Sequence, residues 1–333
     1  MSDDQDTFYT CFEDTFRGSR EAIDARLAVY QPLIDALLSL DPAAQALDLG
    51  CGRGEWLQRM ARSGLAALGV DLDAGQVAAS RAAGLQVRRQ CAFEALAQSA
   101  PGSLALVSAF HVAEHLPFED LRRLLALALA ALRPGGVLLL ETPNPENLCV
   151  GATHFYLDPT HRAPLPPALL AYTVAAAGYE GANTLRLNAP AHLATAAPRP
   201  ATPQPPAPPS LYDVLAGASP DYAVLAQKPG GAAGWQGLAG SVVAPGVTLA
   251  DLAHRHDQVL ASLYHRAAAL EARLPALEAR LPALEAQVAE LHAGLESARR
   301  ESAGRDAELA ALYRSRSWRI TAPLRWLAGR LKR

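Results

Sequence analysis

The sequence predicts an α/β domain, a mostly parallel sheet covered by helices on both faces, continued by a helical segment with a heptad repeat. Three observations predict it. Short apolar runs alternate with helical stretches, a glycine-rich turn stands between the first run and the helix behind it, and leucines beyond residue 270 recur at alternating steps of four and three.

Residues 19–40 read as a helix: Ser19 can cap it, Glu21 lies in its first turn, and Ile23, Leu27, Tyr30, Leu33, Ile34, Leu37 and Leu38 follow at helical spacing. Residues 1–43 are therefore expected to form an N-terminal helical extension. Ala46–Leu49, Ala66–Val70, Leu104–Phe110 and Val137–Glu141 are apolar runs of strand length, each set off by a helical stretch or a Gly/Pro turn. That alternation is the pattern of a parallel sheet buried on both faces. Residues 189–209 hold eight prolines and seven alanines, a composition for a surface loop and not for a core element. Asp221–Ala226 reads as one more strand, so the domain is expected to span 44–229, with a Gly-rich linker at 230–247.

Beyond it, 248–313 is the helical segment. Leu270, Leu274, Leu277, Leu281, Leu284, Val288, Leu291 and Leu295 form a heptad seam, the signature of self-association. Pro275 and Pro282 interrupt the pattern, and a proline costs about 3 kcal/mol in a helix interior. A kink or break is expected there, with unbroken coiled coil from Pro282 to Leu312.

Charge divides the chain of 333 residues in the same place. Residues 314–333 carry seven Arg or Lys and no acid, leaving 23 basic against 33 acidic residues before them. An acidic body gives no footprint for nucleic acid, whereas the tail suits anionic lipid or an acidic partner. Trp318, Ile320, Leu324, Trp326, Leu327 and Leu331 give that tail an apolar side, with Pro323 interrupting a single helix. The cysteines at 11, 51, 91 and 149 make no CxxC pair, so neither a zinc knuckle nor a redox couple is expected. No run reaches the roughly 18 apolar residues of a membrane span. The first residues lack the basic start and apolar run of a signal peptide, so a cytoplasmic location is expected, with the tail at the inner membrane surface.

The sharpest chemical signal is Asp48-Leu49-Gly50-Cys51-Gly52-Arg53-Gly54, placed between a strand and a helix. Gly50 permits a tight turn, Gly52 lets backbone approach a ligand, and Gly54 lets the helix sit close to the sheet. Asp71 ends the next strand 21 residues after Gly50, where a carboxylate can accept hydrogen bonds from ribose hydroxyls. Next, His111-Val112-Ala113-Glu114-His115 matches the HxxEH pattern of some zinc proteases. That chemistry needs both histidines on one helical turn, and Pro117 disfavours a helix there. No metal site is expected.

The GxGxG spacing, with an acid two residues ahead, resembles motif I of class I methyltransferases. The resemblance extends to enzymes of bacterial surface-polysaccharide gene clusters, including O-antigen chain-terminating methyltransferases. Phe12-Glu13-Asp14 with Phe16–Arg20, Phe110–Pro117, Glu141-Thr142-Pro143-Asn144-Pro145-Glu146-Asn147, His154–His161 and Tyr313–Arg319 carry it. It implies a Rossmann-like fold with a mostly parallel seven-stranded sheet, and S-adenosyl-L-methionine held by Asp48, Gly50, Cys51, Gly52, Gly54, Asp71, Leu72, Phe110 and His111. It also implies transfer of the methyl group to a hydroxyl or phosphate of a glycan or glycolipid acceptor, ending chain growth, with a glycosyltransferase as a further candidate partner for the tail. Cys91 stands where such enzymes place an acid near the adenine.

A sugar hydroxyl benefits from a general base, and histidine suits that task near neutral pH. His161, His154 and His111 are the candidates, with Glu114, His115, Glu141, Asn144, Tyr156 and Asp158 as acceptor-binding residues. Two other readings stay open: a small-molecule O-methyltransferase, and a scaffold that keeps the fold without the reaction.

Overall fold

The computed structural model describes residues 18–194, 208–244 and 246–331. Phe12–Asp14, Phe16, Arg17 and Cys11 lie outside the described residues, as do 195–207 of the Pro/Ala run. The chain divides into two compact units, Met1–Val259 and Leu260–Arg333.

The first unit is built on seven strands: β1 Gln45–Leu49, β2 Ala66–Asp71, β3 Val87–Arg89, β4 Leu104–Phe110, β5 Leu132–Pro143, β6 Glu180–Leu187 and β7 Asp221–Gln227. Their order in the sheet is β3-β2-β1-β4-β5-β7-β6. β1 to β5 are parallel, while β7 runs antiparallel to both of its neighbours, β5 and β6. The chain therefore winds outward from β1 to β3 and then returns to start again at β4. The crevice for a ligand in such a sheet opens at the carboxyl ends of the strands flanking that reversal.

Side chains of successive strand residues point to opposite faces. In β5, Val137 and Leu139 join one apolar layer with Leu33, Ile34, Trp56 and Met60, while Leu138 and Leu140 join the other with Leu121, Leu124, Leu170 and Val174. A continuous apolar run is what a doubly covered strand requires.

The N-terminal helices belong to this core. Ser19 Oγ accepts the Ala22 amide at the start of Arg20–Leu27, and Gln31–Leu40 begins with a proline in its first turn, where the missing N–H costs nothing. Residues 230–247 are not a linker. Leu238, Ala239 and Val242 are buried in the first layer, and Gln227 donates to the carbonyls of Gly135 and Trp235. Apolar residues inside a Gly-rich stretch packed where the expected boundary lay.

The described residues of the second unit are helical except at Ser315 and Thr321. The helix Leu249–Arg314 runs through both Pro275 and Pro282 without the expected break. Each proline removes one amide donor, and the flanking Ala, Leu, Glu and Arg are strong helix formers, so the helix continues through the local loss. The tail does break, at Ser315 and Thr321, between Arg316–Ile320 and Ala322–Leu331. Pro323 falls in the first turn of the last helix. The Arg325 guanidinium lies 3.6 Å from the centre of the Trp318 ring, and Arg330 lies 4.5 Å from Trp326, so tail charges cover tail aromatics. Among the described residues no helix is long and apolar enough to cross a membrane.

Candidate active site

The glycine loop follows β1 and leads into the helix Glu55–Ser63. Gly50, Gly52 and Gly54 have φ of 65°, 51° and 81°, in the left-handed region that side chains disfavour. At Gly50 a Cβ would stand 2.6 Å from Val112 Cγ2, and at Gly54 it would stand 2.5 Å from Leu85 Cδ1. The third glycine thus admits the segment after the next helix, instead of drawing its own helix onto the sheet. The amides of Gly50 and Cys51 both donate to the Val70 carbonyl, which ties the loop to the end of β2, while the Cys51 side chain is buried below.

Asp71 ends β2 beside this loop. Its Oδ2 accepts the Gly52 amide at 2.8 Å and its Oδ1 the Asp73 amide at 2.9 Å. A carboxylate has about four lone-pair positions, so acceptor capacity remains for a diol. The next residue, Leu72, is 65% exposed, an apolar surface at the mouth of the crevice. Asp48 is buried beneath the loop, where its Oδ1 accepts the Ser108 hydroxyl at 2.7 Å, and Ser108 in turn accepts the Trp56 indole N–H at 3.0 Å. Phe110 packs against Trp56 and Tyr30, with ring centres 5.4 and 5.6 Å away. Both side chains lie under the crevice. Cys91 is the N-cap residue of the helix Ala92–Gln98 and caps nothing with its thiol.

The segment after β4 makes no helical turn across the HxxEH string. His111 has a left-handed φ of 54°, and Ala113–His115 is a single 3-10 turn. The strained backbone at His111 places its ring among three carboxylates, with Nδ1 3.3 Å from Glu114 Oε1 and Nε2 3.8 Å from Glu141 Oε1 and 4.0 Å from Asp221 Oδ1. Burial disfavours the imidazolium, but Glu114, Asp221 and Glu141 outweigh it and raise the His111 pKa to about 9. A group already protonated at neutral pH is no general base there, so His111 leaves the list of bases. Burial pushes Glu141 up to about 7, helped by Asp221 and opposed by His111 and by the Tyr30 hydroxyl, which donates to its Oε2 at 2.5 Å. Glu114 is held below the usual carboxylate range: burial acts against its charge, and His111 prevails.

His161 is brought to Glu114 from 47 positions along the chain. Its Nδ1 lies 2.6 Å from the Phe155 carbonyl, which can only accept, so neutral His161 keeps its proton on Nδ1 and a lone pair on Nε2. That Nε2 stands 3.9 Å from both Glu114 Oε1 and Asp158 Oδ2. His115 packs edge-on against His161 at 4.7 Å, and its Nδ1 meets the Thr160 hydroxyl at 2.8 Å. Thr160 donates its one proton to Asp158, so His115 donates from Nδ1 and also presents a bare Nε2. Burial lowers the His115 pKa, which keeps this ring neutral. Glu114, His115 and His161 offer ligand atoms within 4.8 Å of one another, and Oε1 of Glu114 is buried without a hydrogen bond. This set could hold a divalent cation, and it joins Glu114 and His115 of the HxxEH string to His161 in place of His111.

His154 and Tyr156 are exposed on the turn His154–Leu157 and join none of these contacts. Asn144 is a turn-shaping residue: it is fully buried, donates to the Ser219 carbonyl and accepts the Glu146 amide. Tyr30, Ser108, Thr142 and Asp221 belong to the site without having been anticipated. Thr142 donates to Glu114 Oε2 at 2.9 Å. The one available signal was for Asp221, an acid opening an apolar strand; an antiparallel strand brings its first residue beside the end of β5, opposite Pro143.

A family model described as a methyltransferase domain matches residues 21–181. The solved structure of a SAM-dependent methyltransferase from Archaeoglobus fulgidus is 28% identical with a TM-score of 0.56, over 66% of this chain and 100% of that one. The chain carries an S-adenosylmethionine-dependent methyltransferase domain. Its glycine cradle, Asp71 and the carboxylate-rich rim fit that cationic cofactor. Curated relatives include two ubiquinone biosynthesis O-methyltransferases. That of Methylococcus capsulatus is 35% identical over 30% of this chain and 44% of its own length. That of Xanthomonas campestris pv. campestris strain B100 is 34% identical over 38% of this chain and 54% of its own length. The match thus spans about half the length of these relatives.

Proposed function

We propose that this protein transfers the methyl group of S-adenosyl-L-methionine to a hydroxyl oxygen at the end of a bacterial surface glycan or its lipid-linked precursor. The observation that carries the hydroxyl acceptor is the Nε2 of His161, turned toward Glu114 and Asp158 while Nδ1 is held by the Phe155 carbonyl. When bound, the cofactor supplies a methyl carbon already activated by its sulfonium. His161 Nε2 takes the hydroxyl proton as the oxygen–methyl bond forms and the sulfur–methyl bond breaks, leaving S-adenosylhomocysteine. Glu114 and Asp158 stabilise the imidazolium so formed, and the Phe155 carbonyl keeps the ring oriented. A site of four carboxylates disfavours an anionic phosphate acceptor, which narrows the acceptor to a neutral hydroxyl. The glycan rests on the resemblance of the His154–His161 and Tyr313–Arg319 strings, and the exposed Tyr156 offers a ring for a sugar face.

A second acceptor, a small phenol or alcohol, is favoured by the named chemistry of the curated relatives. A second activation, by a divalent cation on Glu114, His115 and His161, is favoured by the convergence of their ligand atoms within 4.8 Å of one another. One set of measurements separates them. Calorimetry with S-adenosylmethionine comes first, since no binding would leave only the scaffold. Transfer of labelled methyl is then compared on lipid-linked glycan and on catechol-type acceptors, before and after chelator dialysis. Label in glycan, unaffected by chelation, supports the reading; label only in the phenol, or activity lost with chelator and restored by Mn2+ or Zn2+, replaces the corresponding half of it.

A further inference from the structure

β4 is apolar along its whole length except at one position. Leu104-Ala105-Leu106-Val107 and Ala109-Phe110 leave Ser108 as its one polar side chain, and that side chain is fully buried. A hydroxyl in such a place is costly unless its hydrogen bonds are made. Ser108 makes them in both directions: it spends its single proton on Asp48 Oδ1 and accepts the Trp56 indole N–H.

The two partners bracket the cofactor loop. Asp48 stands two residues ahead of Gly50 and Trp56 two residues behind Gly54, so one hydroxyl holds the chain on both sides of the glycine turn. In the register of the sheet Asp48 lies between Gly69 of β2 and Ser108 of β4. These neighbours hold the loop by different means. A Cβ at Gly69 would stand 2.7 Å from Cys51 Sγ, so on the β2 side the loop packs its own side chain into the space that a larger residue would take. On the β4 side it is clasped by directional bonds.

The two sides meet different ends of the cofactor. Asp71 ends β2, where it is placed for the ribose diol, and it accepts from Gly52 and Asp73. The crevice opens at the ends of β1 and β4, and the methyl to be transferred has to lie in it. A ligand whose ribose lies at Asp71 therefore extends its 5′ substituent across β1 toward β4, and in S-adenosylmethionine that substituent carries the amino acid. We infer that Ser108 is a positioning residue for the amino-acid end of the cofactor: with Trp56 it fixes Asp48 and the glycine loop beneath that end, and it takes no part in holding the adenosine.

The test sets two ligands against each other on the full-length protein. S-adenosylhomocysteine has the amino acid and 5′-methylthioadenosine lacks it. In calorimetric titrations Ser108→Ala should weaken the first about tenfold and the second less than about twofold, whereas Asp71→Ala should weaken both by a similar factor. Equal losses of both ligands in Ser108→Ala, or a loss of neither, overturn the inference. Leu106→Ala opens a cavity on the same face of the same strand; it should lower the unfolding midpoint and leave the ratio of the two affinities unchanged. A ratio moved as far as in Ser108→Ala would make the effect one of packing and overturn the inference. Should Ser108→Ala fail to fold, Trp56→Phe carries the test, since it keeps a ring and the Ser108–Asp48 bond while removing the N–H. Its expected loss is about threefold for S-adenosylhomocysteine only, and an equal loss for both ligands overturns the inference. Where both variants fold, the double variant should bind S-adenosylhomocysteine no more weakly than Ser108→Ala by itself; additive losses overturn the clasp.

Discussion

Leucine does opposite things in the two units. In the sheet, Leu138 and Leu139 are completely buried by two different layers of the same chain, and buried polar groups such as Asp48 and Asn144 find partners within it. Along the helix beyond Leu260, leucines at regular steps lie half exposed. A fold that satisfies its groups internally needs nothing else to be stable; the helix keeps an equally regular apolar seam on its surface.

The comparison is broken most directly by making the same substitution in both places. Leu139→Ala should cost about 3–5 kcal/mol in denaturant unfolding, whereas Leu284→Ala should leave the domain's own transition within about 0.5 kcal/mol. An equal loss at both positions would mean that the units do not stand apart energetically. Within the first unit, function should separate from folding. His161→Ala should lower kcat about a hundredfold with unchanged cofactor affinity, read by single-turnover methyl transfer and calorimetry. Weakened cofactor binding would instead make His161 a pocket residue.

A smaller effect is expected at Asp71, which both accepts from Gly52 and faces the crevice. Asp71→Ala should weaken S-adenosylmethionine binding about tenfold to thirtyfold, the worth of one charged hydrogen-bond acceptor, as measured by titration. The smallest effect concerns His111. Its pKa rises from 6.5 to about 9 on folding, so its stabilisation is complete below about pH 6.5 and fades as pH rises through 9. Because the ring edge is exposed, the contribution should be only about 1 kcal/mol. Thermal unfolding between pH 6 and 10 should show that decline in the parent and not in His111→Asn; a parallel decline in both would place the titrating group elsewhere.

Legibility followed burial. β1, β2, β4, β5 and β7 were visible as apolar runs because both of their faces are covered. The edge strands β3 and β6 were not: β3 is three residues long with only Val87 buried, and Glu180–Leu187 buries only Leu185 and Leu187. The glycine loop and Asp71 were legible because one strand-turn-helix unit holds them all. Tyr30 and Glu141 stand 111 positions apart, and no local pattern joins them. The boundary at 229 failed for a related reason: Leu238, Ala239 and Val242 are too few and too interrupted by glycine to announce a core contribution, yet the sheet edge has room for them.

The amino-acid string alone determined the doubly wound architecture, the glycine loop with the acid that ends β2, and the regular seam of the C-terminal helix. These depend on periodicity and on neighbours a few residues away, and both are written in order along the chain. Only the tertiary structure decided which ring nitrogen of His161 faces the carboxylates, that three carboxylates surround His111, and that Glu114, His115 and His161 meet. Those outcomes depend on distances between strands β4, β5 and β7 and the loop after β5, and on which carboxylates share one low-dielectric crevice, quantities that exist only once the sheet has closed.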